Sequence, residues 1–170
     1  MSTLHYIFDP LCGWCYAAAP LIDAARNQSA LAIVLHGGGM LTGSNRRQIT
    51  AQWRDYVVPH DRRIAQLSGQ PFGERYFEDL LRDTTAVLDS EPPTTAILAA
   101  EEISGHGLDM LHRVQHAHYA EGRRIADHDV LSELRPRRRR VHRRTEAQHR
   151  CAEHGYCWRR IDDDGKLDHR

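Results

Sequence analysis

Cys12-Gly13-Trp14-Cys15 is the stretch of this 170-residue chain whose residue types and spacing can do chemistry. Two cysteines with two residues between them lie about one turn apart on a helix, close enough to form a disulfide. If the pair opens a helix, the unpaired N–H groups of the first turn favour a thiolate at Cys12. Its pKa is then expected below the ~8.5 of a free thiol. Cys15, one turn further in, is expected to point toward the interior and to resolve a mixed disulfide formed at Cys12. Pro20 is expected to remove a helical hydrogen bond and kink the helix beyond this turn. The competing chemistry is half of a zinc site or a structural disulfide. No second Cys-x-x-Cys occurs, the remaining Cys151 and Cys157 have five residues between them, and zinc knuckles flank loops rather than a strand-to-helix turn. Redox exchange is the favoured reading.

That reading requires a strand before the pair and a helix after it. Leu4-His5-Tyr6-Ile7-Phe8 is aromatic and β-branched and is stopped by Asp9-Pro10, so it predicts a strand. Residues 12–26 have helical composition, with Ala18, Leu21, Ile22 and Ala25 on one side. Residues 31–35 are almost wholly apolar, the pattern of a second strand covered on both faces. Strand, helix and strand within about 35 residues make a right-handed βαβ unit with parallel strands. After Gly37-Gly38-Gly39 the pattern turns helical. Trp53, Tyr56 and Val57, then Ile64 and Leu67 beyond Pro59, predict two short helices or one kinked helix. Further helices are expected over residues 74–82, 92–103 with prolines in the first turn, and 107–120 with Leu111, Val114 and His118 in phase. A last one is expected to be capped by Asp127.

Composition places the chain as a soluble domain, with 41% hydrophobic and 27% charged residues. Its formal neutrality, 23 basic against 23 acidic residues, is a cancellation. Residues 1–134 hold 11 basic and 17 acidic groups, whereas residues 135–170 hold 12 and 6. Only nine of those last 36 residues are hydrophobic, too few for a packed core. Met1 to Tyr6 carries no basic residue and the first apolar stretch breaks at Asp9-Pro10, so no targeting signal is expected and the cytoplasm is the default compartment.

The segment Phe8-Asp9-Pro10-Leu11-Cys12-Gly13-Trp14-Cys15-Tyr16, followed by Pro20, resembles the active-site region of DsbA-like thioredoxin-fold oxidoreductases, the FrnE-like branch in particular. The likeness continues through Leu35-His36-Gly37-Gly38-Gly39-Met40, Asp89-Ser90-Glu91-Pro92-Pro93 and Leu108-Asp109-Met110-Leu111, and so spans about residues 3–134. The resemblance implies an α/β, thioredoxin-like fold with an α-helical insertion: residues 1–40 as the N-terminal βαβ part, 41–134 as the insertion, and 135–170 as a basic, atypical tail. It also implies Cys12 as nucleophile and Cys15 as resolving cysteine, with Pro10, Gly13, Trp14 and Pro20 tuning the pair. The activity implied is thiol–disulfide exchange with protein or small-molecule disulfides. It needs no cofactor, and glutathione would serve as a redox partner. Within the same superfamily the alternative is a glutathione-linked isomerase or transferase, against which the second cysteine argues. From a different class, the alternative is a non-catalytic fragment whose basic tail binds a polyanion.

The family's cis-proline strand and closing hairpin have no evident counterpart, since every proline lies at or before Pro136. The sheet is therefore expected to be incomplete at its C-terminal side. A hairpin over residues 156–169 with the turn Asp162-Asp163-Asp164-Gly165 is the one candidate, and a shifted reading frame after residue 134 is the competing account of the tail. The seven arginines of residues 135–144 could bind polyanions, but no aromatic residue interrupts them, which disfavours a nucleic-acid arm. His149, Cys151, His154 and Cys157 carry zinc donors at a spacing that matches no familiar site. His36-Gly37-Gly38-Gly39 imitates an esterase oxyanion loop, yet no Gly-x-Ser-x-Gly occurs and a turn is expected there. His112 and His116 have the spacing of a helical metal pair without a third ligand, so a polar helix face is expected.

Overall fold

A computed structural model describes residues 2–135. The first strand, β1 (Ser2–Phe8), is followed by two short helices, α1 (Gly13–Ala17) and α2 (Ala19–Arg26), and then by β2 (Leu31–Gly37). β1 and β2 pair in parallel, from Ser2 against Leu31 to Phe8 against Gly37. The expected βαβ unit is present.

Two expectations for this unit need correction. The apolar run of β2 does not mean cover on both faces: Val34 is 39% exposed, and Ile7, on the same face of β1, is 69% exposed. Side chains alternate across a strand, and the helices cover only the face that carries Tyr6, Phe8, Ile33 and Leu35. The open face carries His5 and His36, whose ring nitrogens Nδ1 and Nε2 are 2.9 Å apart. Nor does Pro20 kink a continuous helix. The chain breaks at Ala18, which ends α1 and begins α2, so that Pro20 falls in the first turn of α2, where its missing N–H costs nothing.

The inserted part is helical, as expected, around one unforeseen two-residue ladder. β3 (Arg47–Gln48) pairs antiparallel with β4 (Val87–Leu88) and ties the entry of this part to the approach to its later helices. Between them run α3 (Ala51–Ser68) and α4 (Glu74–Glu78). α3 is continuous through Pro59 and ends at Gly69, whose φ of 71° suits glycine. The helix expected over residues 74–82 stops at Glu78 and yields to a 3₁₀ turn, Leu80–Arg82. α5 (Glu91–Ser104) has its prolines in the first turn, and α6 (Gly107–Tyr119) buries Leu111, Val114 and His118. α7 (His128–Leu134) does begin after Asp127, but the Asp127 side chain accepts no capping hydrogen bond.

One core joins the two parts. Phe8, Leu11 and Tyr16 from the first pack with Ile97, Leu111, Val114 and Tyr119 from the second. Gly73 marks how closely the backbones approach, since a Cβ there would lie 2.0 Å from the Ala120 carbonyl oxygen. The tail readings, namely the arginine run, the 156–169 hairpin and the His149, Cys151, His154 and Cys157 donor set, lie outside the described residues.

Candidate active site

The site begins where β1 ends. Phe8 is the last strand residue and Asp9-Pro10 turns the chain sharply, because Asp9 Oδ1 accepts the Leu11 N–H at 2.8 Å in an Asx turn. The same carboxylate accepts the Met40 N–H through Oδ2 at 2.7 Å and the Ser90 hydroxyl through Oδ1 at 2.8 Å. Asp9 is 4% exposed and Ser90 is fully buried. A buried carboxylate is stable only when its lone pairs are satisfied, and here three donors do so, one from its own turn and two from distant segments. Asp9 therefore pins together the loop before the cysteines, the glycine turn after β2 and the start of α5. The glycine turn is a turn as expected: the Gly38 N–H reaches the Phe8 carbonyl at 2.7 Å, and Gly39 has a φ of 64°.

Cys12 occupies the N-cap of α1 with extended backbone angles, and its Sγ accepts the Cys15 N–H at 3.4 Å. Both cysteines are free thiols. The Cys12 pKa is pulled down to about 6: the Cys15 thiol donates to its sulfur, and the N–H groups of Cys15 and Trp14 add to this against the opposing effect of burial. The Cys15 thiol is pushed far up by that same hydrogen bond to Cys12 and by burial. One proton thus sits on Cys15 and serves both sulfurs. Contrary to expectation, Cys15 does not turn inward past Cys12; both are half-buried. The asymmetry between them comes from hydrogen-bond direction at a helix N-terminus rather than from depth.

Gly13 and Trp14, between the cysteines, are placed differently. Trp14 is 56% exposed and rims the pair, whereas Gly13 is wedged against α3, with Asp61 Oδ1 and Ile64 Cδ1 each 3.0 Å from where a Cβ would stand. Pro10 is buried beneath the turn. Pro20 frees the Tyr16 carbonyl, and Gln70 Nε2 donates to that oxygen at 3.1 Å. Tyr16 also stacks on Tyr119 with ring centroids 5.0 Å apart, and its hydroxyl donates to the Pro71 carbonyl at 3.1 Å. The inserted helices therefore form the wall behind the cysteine turn.

Several residues at the site escaped the sequence reading. Tyr6 donates to the Cys15 carbonyl at 3.3 Å, and its pKa is raised by burial and by both cysteine sulfurs. Asp61, 7% exposed, accepts the Tyr76 hydroxyl at 2.6 Å. The one available signal for Asp61 was its helical phase, since it falls on the apolar stripe of Val57 and Ile64. His112 and His116 stay apart from the cysteines, His112 facing Asp23 at 3.4 Å and His116 facing Glu121 at 3.1 Å.

The fold is shared with solved structures. Cytosolic disulfide reductase DsbM from Pseudomonas aeruginosa is 60% identical, with a TM-score of 0.72 over 78% of this chain and 62% of that one. Its structure with GSH is 59% identical, with a TM-score of 0.73 and the same coverage. Over the matched residues the chain is similar in sequence and fold to DsbA-like thioredoxin-fold proteins. A further structure, from Nitrosomonas europaea and provisionally named a protein disulfide isomerase, is 26% identical with a TM-score of 0.67, again over 78% and 62% of the two chains. The chain thus spans about three fifths of the length of these DsbA-like structures. No family model matches it, nor does any curated protein. No helix among the described residues is long and apolar enough to cross a membrane.

Proposed function

We propose that the protein is a thiol–disulfide oxidoreductase in which Cys12 attacks and Cys15 resolves. The observation that carries this reading is the hydrogen-bond relay at the start of α1, where Cys12 Sγ accepts from Cys15 and stays a thiolate near neutral pH. The Cys12 thiolate attacks one sulfur of a substrate disulfide, forming a mixed disulfide and expelling the other sulfur as a thiolate. Cys15 then loses its proton and attacks Cys12 Sγ, which breaks the mixed disulfide, releases the second thiolate and leaves a Cys12–Cys15 disulfide. Two equivalents of a small thiol restore the dithiol. Glutathione is the redox partner we assign, on the strength of the DsbM structure with GSH. The likeness to a cytosolic reductase supports a cytoplasmic setting and reduction as the working direction.

In this reading residues 1–40 supply the cysteine turn and residues 41–134 its wall. Pro10, Gly13, Trp14 and Pro20 tune the pair: Pro10 and Gly13 by shaping the turn, Trp14 by rimming it, and Pro20 by ending the first helix early. The test is reduction of insulin and of glutathione disulfide by the wild type and by Cys12→Ser and Cys15→Ser. Loss of turnover in both variants is expected. Turnover retained by Cys15→Ser would replace this reading with a glutathione-linked transfer that needs no resolving thiol.

A further inference from the structure

α3 carries the cysteine turn on one side and an uncovered row of rings on the next. Asp61 and Ile64 meet Gly13, and the residues just before them, His60 and Arg63, fall on a neighbouring stripe with Trp53, Tyr56 and Leu67. Spacings of three and four residues line these five up along one flank of the helix. The Arg47 guanidinium, from β3, lies over the Trp53 ring at 4.4 Å. Trp53 then meets Tyr56 with ring centroids 5.7 Å apart, and Tyr56 meets His60 at 4.7 Å. His60 donates through Nδ1 to the Tyr56 carbonyl at 2.7 Å, which holds the ring against the tyrosine. Tyr56 is 59% exposed and Leu67 64%, so core packing does not account for the row. Arg47 and Arg63 form no ion pair among the described residues, whereas Arg46 and Arg54 beside them do. Residues 1–134 hold 17 acidic groups against 11 basic ones, so two unpaired guanidiniums on this flank are a local reversal of charge.

We propose that this flank of α3 is a docking strip for polypeptide substrates, holding an extended segment that carries carboxylates and aromatic rings beside the disulfide that Cys12 attacks. The inference rests on the thiol–disulfide reading of Cys12 and adds a substrate class to it. Arginine, tryptophan and tyrosine are the residues that carry most of the binding energy at protein interfaces. A guanidinium stacked on an indole keeps its N–H fork at the ring edge, where a carboxylate can accept two hydrogen bonds from it. Tyr56 and His60, both exposed, offer stacking to an aromatic side chain. From Trp53 to Leu67 the strip runs about 20 Å at ~1.5 Å per residue, the reach of about six residues of extended chain. Cations and rings in a row also suit single-stranded nucleic acid. The acidic excess of residues 1–134 opposes a continuous run of phosphates, however, while scattered carboxylates need only the local cations.

The experiment is fluorescence anisotropy with the full chain and a short labelled peptide of alternating Asp and Phe, with serine at its centre in place of cysteine. The same peptide with Lys for each Asp, and a labelled oligothymidylate, are the comparisons. The acidic peptide is expected to bind about tenfold more tightly than either. Arg47→Gln combined with Arg63→Gln is expected to remove that preference, and Tyr56→Ala to weaken binding of the acidic peptide by about two- to tenfold. All three positions are exposed, and a thermal melt checks that each variant keeps the fold. Binding that survives the variants belongs to the arginines of residues 135–144 and overturns the proposal. Equal binding of the basic peptide, or tighter binding of the oligonucleotide, overturns it as well. The serine peptide undergoes no exchange, so the two readings fail separately. Insulin reduction without peptide binding sinks the strip alone, and peptide binding without insulin reduction sinks the oxidoreductase reading alone.

Discussion

Two buried groups impose opposite pH dependences on stability, and each is exposed by removing the other. Asp61 titrates at about 6 in the fold against 3.8 for a free carboxyl, because burial disfavours its charge. Between those values the native state holds a proton that the unfolded chain has released. Stability is therefore highest below pH 4 and falls as the pH rises through 6, by about 3 kcal/mol at 1.36 kcal/mol per pK unit. His118, 4% exposed, is shifted from 6.5 down to about 4, again by burial. The unfolded chain binds the proton that the native state refuses, so stability rises from pH 4 to 6.5, also by about 3 kcal/mol. Cys12 acts above this window, because its lowered pKa adds stability only as the pH climbs from 6 toward the ordinary thiol range near 9.0. Between pH 4 and 6 these two contributions nearly cancel, leaving the rise that His112, also lowered by burial, adds on the same side as His118. Asp61→Asn should gain stability steeply with pH across that window, and His118→Asn should lose it. Urea unfolding under reducing conditions at half-unit pH intervals measures the slopes. Parallel slopes in the two variants, or a wild-type slope that neither variant changes, would refute the assignment of these shifts.

Four further outcomes follow from the geometry. Cys15→Ala removes the thiol donor to Cys12 and should raise the Cys12 alkylation midpoint by about 1–2 units, the value of a charge-assisted hydrogen bond, which slows alkylation at pH 7 by about two- to tenfold. Cys15→Ser keeps a donor and should shift the midpoint by less than half as much. Gly73→Ala drives a Cβ into the Ala120 carbonyl, 2.0 Å away, where only backbone could yield, and should cost more than about 3 kcal/mol in a urea melt. Asp9→Ala strips acceptors from the buried Leu11 N–H and Ser90 hydroxyl and the half-buried Met40 N–H and should cost about 3 kcal/mol or more, with the first segment losing amide protection in hydrogen exchange.

The chemistry was legible because it is local. Four consecutive residues at the end of an aromatic strand fix both the nucleophile and the helix terminus that activates it, and the β-branched and apolar runs of residues 4–8 and 31–35, with a helix between them, reveal the parallel pair. The helices of the inserted part could be read for the same reason, each carrying its own periodicity. What escaped was what depends on contacts between distant segments. Asp9 read as a strand stop, and its partners Met40 and Ser90 lie 31 and 81 positions away. Asp61 read as an ordinary helix charge, because its burial depends on Tyr76 and Gly13 meeting it from two other helices. The greater depth expected of Cys15 failed on a subtler point: helix geometry places the second cysteine one turn on along α1, and a step along the axis does not set how deeply a residue is buried.

The parts of the chain that resemble the family in sequence prove to be the parts that meet in space. Asp9 comes from the cysteine segment, Met40 from the glycine turn and Ser90 from the segment that starts α5, and one carboxylate holds all three. None of these touches a sulfur through its side chain, so direct participation in exchange does not explain their recurrence together. Their shared task is to fix where β1 ends, and that position decides where the first N–H groups of α1 point. Those N–H groups, from Trp14 and Cys15, are the ones that hold the Cys12 thiolate. Reactivity at Cys12 is thus a long-range property of the fold delivered through a short-range motif. A Cys-Gly-Trp-Cys segment lifted out of this setting would keep its spacing and lose the lowered pKa.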